Sequence, residues 1–379
     1  MSVLNALSVS RKPAAAFVVI GLYWGTFAAF VPVIKARLGA SDALFGSLLL
    51  GTAIGLVTAM FFAPRIDKWL TGRTMQLSSV LVALAFLAPG LASTPTMFFF
   101  AMVLAGTASG LTDVIMNARV SELEAQHGKS LMNANHAMFS VAYAIAAIVT
   151  GIAREVGLPP IAVFAGMGVL TFALAGMMVT PVAADPDDEA TVTGFPWGPI
   201  LLCGAIVQIA FMSEATVEAW SALHIERTLN GGAAEGALGP ATLGIMMAIG
   251  RFSGQAVSER LSDYLVIVCA ALLSAVGALI VAVAATPIIA YVGFGVLGLG
   301  VSVIGPLGLA IVGRLVAPKY RTEAISKAAV IGFSGFFLAP IVMGGVSELF
   351  GLRVAFACVA GLLMLLLPLV SVTRRRAPV

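Results

Sequence analysis

Two acids, Glu214 and Glu218, sit one helical turn apart in an apolar stretch that carries no other charge from Trp197 to His224. An ionisable group at such a position in a membrane costs ~2.5 kcal/mol or more, so each acid must face a cavity or a partner. A close acid pair is suited to taking up and releasing a proton, or to holding a polar solute. Arg251, in the next stretch, offers the competing chemistry of a fixed ion pair with Glu214. A third acid, Asp113, shares a stripe with Gly106, Gly110 and Asn117, and spacings of 4, 3 and 4 put all four on one helical face. The glycines allow a close helix approach. Asp113 lies near one end of its stretch, so proton carriage there competes with an ion pair to Lys68 or Arg73. Asn133, His136, Ser140 and Tyr143 form a second polar stripe, spaced 3, 4 and 3. His136 adds a group that titrates near neutrality. Tyr23, Trp24 and Gln208 fall mid-stretch and are further candidates for contact with a solute, since aromatic faces stack on sugar rings as well as packing cores.

These residues need positioning, and the chain has little but helix to do it. Of 379 residues, 60% are apolar and only 10% charged, against roughly 25% charge in soluble domains. Crossing a ~30 Å hydrocarbon layer takes roughly 20 helical residues. Stretches of that length fall at 14–34, 43–63, 74–92, 96–118, 131–152, 160–181, 199–222, 240–258, 265–285, 288–314, 324–346 and 352–372. Twelve such spans predict an all-α membrane protein. The first follows Arg11 and Lys12 but is too long for a signal-peptide core, so it reads as a retained helix. The longest polar link, 183–198, divides the chain into six-helix bundles at 1–182 and 199–379. Cys203, Cys269 and Cys358 are isolated inside spans, so they read as small packing residues, without a disulfide framework or metal spacing.

Sidedness follows from Lys and Arg. With the N-terminus inside, fifteen fall at cytoplasmic ends and five outside, at Lys35, Arg37, Arg154, Arg227 and Arg353. That bias predicts that both termini and the 183–198 linker are cytoplasmic.

Two charged turns repeat between the halves. The first runs from Ala63 through Asp67 and Lys68 to Gly72 and Arg73; the second holds Glu259 and Arg260 after Gly250, Arg251 and Gly254. The first resembles the loop 2–3 signature of the major facilitator superfamily, with Ala63 where the signature opens on Gly. The resemblance covers essentially the whole chain and implies a transporter of two six-helix bundles that works by alternating access. It also implies that Asp67 caps a helix end of the other bundle, as an acid at a positive helix terminus should. Asp67, Lys68, Arg73, Arg251, Glu259 and Arg260 would together form a latch holding the cytoplasmic side closed.

The segments Asp113 to Ala118, Asn135 to Ser140, and Glu214 through Trp220 to Leu223 are similar to the sugar-permease-like branch that includes fucose permease, YbjJ-type proteins and the rhizopine transporter MosC. In YbjJ-type proteins the acid adjoins Trp-Ser, whereas here Ala219 separates Glu218 from Trp220. The branch implies a monomeric, proton-coupled carrier of a sugar, cyclitol or derivative in a bacterial inner membrane. A drug or metabolite exporter of the same fold is the alternative, although the fifth span lacks the Gly-Pro element common in proton-antiport exporters. A membrane enzyme or sensor is disfavoured, because no His-Glu-x-x-His or nucleophile-elbow pattern occurs. Without a Gly-x-x-x-x-Gly-Lys loop, ATP drive is not expected. No cofactor, metal or catalytic residue is expected, and dispersed basic residues disfavour a nucleic-acid partner. The topology is testable: Ala190→Cys in a cysteine-free background should react with a membrane-impermeant maleimide only after permeabilisation, and labelling of intact cells would overturn the assignment.

Overall fold

Lipid offers the backbone no hydrogen-bond partners, so each crossing must satisfy its own amides as a helix. The computed structural model describes residues 3–180, 196–258, 261–317 and 320–375, and those residues form helices and short turns with no strand. Ten helices are long and apolar enough to cross a bilayer: Arg11–Arg37, Asp42–Leu70, Thr74–Leu91, Pro95–His127, Met132–Glu155, Trp197–Thr228, Ala233–Ser253, Asp263–Val283, Pro287–Leu315 and Glu323–Arg375. Pro160–Ala175 is shorter and supplies the sixth span. The last helix, at 53 residues, would reach ~80 Å if straight. It breaks at Gly351, where φ is 82° and ψ 164°, a conformation natural only to glycine. The break separates an eleventh from a twelfth crossing and matches the sequence reading of two spans there.

The fourth helix differs from its expected 96–118 by running on to His127. The added turns are charged but rich in helix formers such as Ala, Leu, Glu and Gln, and from Ser121 on they are partly or fully exposed. The eighth starts at Ala233 rather than 240, with Pro240 inside it. Of the cysteines, only Cys203 is buried; Cys269 and Cys358 lie on the outer surface and pack no core, a correction to the expectation for them. Glu259 and Arg260, and residues 183–195 of the linker, lie outside the described residues.

An internal repeat is visible in the helix starts. The fourth and tenth spans, six apart, both open on Thr-Pro. Thr94 accepts a hydrogen bond from the Met97 amide at 3.2 Å, and Thr286 accepts one from Ile289 at 3.5 Å. The threonine satisfies an orphan amide, and proline at the first helical position loses no bond. The outer surface carries large apolar side chains such as Phe61, Val169 and Leu349, each at least 70% exposed, as suits a lipid-facing exterior.

Small residues set how closely the helices approach. At Gly55 an added Cβ would lie 2.2 Å from the Val103 carbonyl oxygen and 2.5 Å from the Thr107 amide nitrogen. The second and fourth spans are therefore in backbone contact, as small residues allow in membranes, and this contact orients the face that bears Asp113. Gly55→Leu should lower the thermal unfolding midpoint of the purified protein in detergent, by an amount corresponding to about 1–3 kcal/mol of overpacking. An unchanged midpoint would mean that these helices can separate freely.

Candidate functional site

Polar groups that lipid cannot solvate have collected at mid-depth, around a cavity of about 620 Å³. Its size lies within the usual range for small-molecule sites. The wall takes residues from both halves of the chain, among them Trp24, Asp113, Asn117, Asn133, His136 and Tyr143 from the first and Glu214, Glu218 and Arg251 from the second. Aromatic side chains fill much of the remainder, including Phe27, Phe139, Phe211 and Phe336.

Two sets of hydrogen bonds cross this space and meet at His136, whose ring bonds Asn117 and whose backbone carbonyl accepts from Arg251. The Asn117 amide donates to the Asp113 carboxylate at 3.1 Å and to its backbone carbonyl at 2.9 Å. That contact follows from the i, i+4 spacing on one helix face. His136 Nε2 is 3.2 Å from Asn117 Oδ1 and so carries the donated proton. The His136 ring also meets Phe17 edge-on at 4.8 Å. From the eighth span, Arg251 donates to Ser140 Oγ at 2.5 Å, and to the His136 carbonyl and Glu214 Oε1, each at 3.4 Å. Fourth, fifth, seventh and eighth spans are thereby connected through six residues.

Several candidates fall elsewhere. Tyr23 is fully buried against Phe86 and Phe164, with ring centroids 5.1 and 6.3 Å away. Consecutive helical residues point about 100° apart, which sends Trp24 to the cavity and Tyr23 to the core. Gln208 donates to Ser334 Oγ at 2.5 Å, tying the seventh span to the eleventh. Asp113, for which Lys68 or Arg73 was an expected partner, is held by Asn117 and lines the cavity. Arg251, grouped with the latch on sequence, stands at the cavity wall.

The turn after the second span holds Asp67 against Arg119 at 2.6 Å. Arg119 is only 3% exposed and also bonds Glu122 at 2.7 Å and Thr180 Oγ1 at 3.1 Å. This partner comes from the same half of the chain rather than from a helix end of the other. A related pair in the second half joins Arg314, at the end of the tenth span, to Asp263, at the start of the ninth. Lys68 and Arg73 are exposed beside the first pair.

The opposite end of the molecule, distal to the termini, carries a network that sequence reasoning missed. Asp42 is 3% exposed and receives Lys35 at 2.9 Å and Arg227 through two bonds of 2.6 and 2.7 Å, with Ser347 donating as well. Glu348 accepts from the Asp42 amide at 2.7 Å. Nearby, Arg154 grips both oxygens of Glu226 at 2.7 and 2.9 Å, and Glu155 accepts from the Ala234 amide. Each of these links, apart from that to Lys35, joins the first half to the second and closes the cavity at the distal end. A signal existed: the five bases counted outside run against the charge bias, and each has a partner. Arg37 donates to the Gly90 carbonyl at 2.6 Å and Arg353 to that of Ala282 at 3.1 Å.

Comparisons with known proteins agree with this geometry. The sequence profile of the Major Facilitator Superfamily matches residues 14–260 and 200–379. An uncharacterised MFS-type transporter of Yersinia pestis is 29% identical over 354 residues, covering 92% of this chain and 91% of its own. Membrane protein MosC of Rhizobium meliloti is 25% identical over 349 residues, covering 89% of this chain and 83% of its own. Among solved structures, a bacterial homologue of the human lysosomal transporter Spinster, inward-facing and unoccupied, superposes with a TM-score of 0.77 at 13% identity, covering 100% of this chain and 98% of that one. The nucleoside transporter NupG gives 0.71 at 16% identity, covering 99% and 100%. The chain belongs to the Major Facilitator Superfamily. It is a multi-pass membrane transporter and not an enzyme.

The distal network gives a direct expectation. Asp42→Asn removes the counter-charge shared by Lys35 and Arg227, and with it the two bonds that tie Arg227 of the second half to the first. Spin-label distances between the distal ends of the second and eleventh spans should lengthen in this variant. Distances identical to the parent protein would remove Asp42 as a closing element.

Proposed function

We propose that this transporter moves a small polar solute, a sugar, cyclitol or derivative, by alternating access driven by protons. The observation that carries the reading is the polar chain from Asp113 through Asn117, His136 and Arg251 to Glu214, which crosses the cavity and connects the two halves at mid-depth. Polar residues are retained inside a membrane where they do work on an ion or solute. A chain bridging two halves must also be rearranged whenever those halves rock. Arg251 bonds Ser140 more closely than Glu214, at 2.5 against 3.4 Å. Glu214 is thus loosely held and free to exchange a proton for the arginine.

In this scheme residues 1–182 and 199–379 are the moving bundles, joined by the 183–198 linker, with both termini cytoplasmic in a bacterial inner membrane. The closed distal network and a cavity lined by Asp113, Asn117 and Asn133 toward the terminal side support a chain caught facing the cytoplasm. The Asp67–Arg119 pair then acts as a brace of the cytoplasmic turn. The resemblance of the Asp113–Ala118, Asn135–Ser140 and Glu214–Leu223 segments to the sugar-permease-like branch favours a sugar- or cyclitol-like cargo. The aromatic wall around Phe211 and Phe336 favours one further reading, export of an amphipathic metabolite.

Proteoliposomes with an imposed proton gradient test the proposal. Glu214→Gln mimics the protonated acid and should keep solute exchange while losing gradient-driven accumulation. Full accumulation by the variant would exclude Glu214 from coupling. A panel of sugars, cyclitols and drugs, loaded inside or outside, separates import from export.

A further inference from the structure

We propose that the last turn of the seventh span is the release element of the distal network: a one-residue change of helical register there withdraws Glu226 and Arg227 from the first half together. The inference rests on the reading of that network as the closure of an alternating carrier. The span is α-helical from Trp197 to Leu223 and π-helical from His224 to Thr228. A π turn closes its hydrogen bonds five residues apart, one more than an α turn; such turns are uncommon and recur at functional sites. The wider spacing continues past the turn. The Gly231 amide donates to the Ile225 carbonyl, six residues back, at 3.0 Å, where the common glycine cap spans five. Asn230 supplies the left-handed residue of this cap, with φ 56°, a conformation that few residues besides glycine tolerate.

A second, independent observation is what the turn carries. Glu226 takes two bonds from Arg154, and the next residue, Arg227, gives two to Asp42. Their partners are held from within the first half: Arg154 also donates to the Ala29 carbonyl at 2.6 Å, and Lys35 pairs with Asp42 at 2.9 Å. The root of the turn is fixed in the second half. His224 is fully buried, its Nε2 donates to the Val281 carbonyl at 3.2 Å, and its ring meets Phe356 at 5.1 Å. The carboxylate of Glu226 lies against Gly236 of the eighth span, where an added Cβ would be 2.1 Å from Oε1. Its seat therefore depends on the rotation that the turn gives it.

Passing one residue out of the turn restores ordinary α spacing. The link from Leu229 to Gly232 receives it, and its two glycines give that link the freedom to do so. Glu226 and Arg227 are then carried round the axis by up to one helical position, about 100°. Bidentate pairs demand a fixed geometry, so neither survives that rotation. Because both side chains ride on one turn, both pairs end in one step. The four bonds they make hold the turn in its wider form, and losing either pair frees the turn to give up the other. On an ordinary α end, each pair would break by itself as its side chains swung away.

The test uses the full-length protein in lipid nanodiscs. Hydrogen exchange over residues 224–232 reads the turn. The spin-label distance between Leu158→Cys and Ile288→Cys, exposed positions at the distal ends of opposite halves, reads the closure in a background without other cysteines. Arg154→Gln and Asp42→Asn remove partners on different spans and leave the turn's own sequence intact. Each should lengthen the distance and raise exchange across the whole turn about tenfold, the mark of one cooperative opening. In Asp42→Asn, exchange over 148–155, an ordinary helix on the same seam, should stay within about twofold of the parent. Deleting the half-buried Thr228 takes the extra residue out of the turn. The deletion should lengthen the distance and leave exchange over the turn low and unresponsive to Asp42→Asn. Should it fail to elute as a monodisperse species, the two substitutions decide alone. Longer distances with unchanged exchange over 224–232, an equal rise over 148–155, or a folded deletion with the parental distance would each overturn the register change and leave the closure standing. Parental distances in both substitutions would overturn the closure and the register change together.

Discussion

Arg251 has to be held by something, because a guanidinium at mid-depth in a lipid-embedded bundle has little water to solvate it. It is held from both halves at once, by Ser140 and the His136 carbonyl on one side and Glu214 on the other. The rest of the interior is arranged around that demand. The fifth span presents its polar stripe toward the eighth, the seventh span turns its acids inward, and Asn117 extends the chain to Asp113. A connection made of side-chain hydrogen bonds can be broken and remade, whereas a backbone contact such as that at Gly55 is fixed by the helices themselves. Under the alternating access proposed for this transporter, the polar chain is where the halves would part, and contacts such as that at Gly55 stay within one half.

The distal network obeys the same electrostatics with a different outcome. Asp42, itself nearly buried, gathers Lys35 and the half-exposed Arg227, and attraction to a buried carboxylate is screened less than between two surface charges. Several such bonds across one seam hold the distal ends together. On the side of the termini, the ion pairs seen at Asp67–Arg119 and Asp263–Arg314 lie within one half each. They stiffen the ends of the helices and do not tie the halves to each other. A chain closed at one end by cross-half pairs, and braced within each half at the other, has the asymmetry that an alternating carrier needs in one of its two states.

Aromatic packing explains why the cavity keeps its shape between these ends. Tyr23, Phe86 and Phe164 form a buried cluster behind the first span, and Trp24 meets Phe86 edge-on at 5.3 Å. The cluster fixes the rotation of the first span, which in turn aims Trp24 at the cavity. Its neighbour Tyr23 is lost to the core by the same rotation.

Sequence alone determined the crossing helices, their approximate ends and the family. Those properties depend on local composition, on the length needed to span a hydrocarbon layer, and on short motifs such as the turn from Ala63 to Arg73. Helical spacing likewise revealed that Asp113 and Asn117, or His136 and Ser140, share a face. It could not reveal what each face meets, because partners come from spans far apart in the chain. Arg251 was legible as a candidate for Glu214 but not for Ser140, 111 positions away. The distal bases carry a topology signal along the chain, but not the identity of their acids, since Asp42 and Arg227 are 185 positions apart. Tyr23 and Gln208 had the right depth but were taken up by packing and by Ser334. Depth in a membrane is a property of one helix. Rotation toward a neighbour is a property of the assembled bundle, so it was decided only when the helices packed.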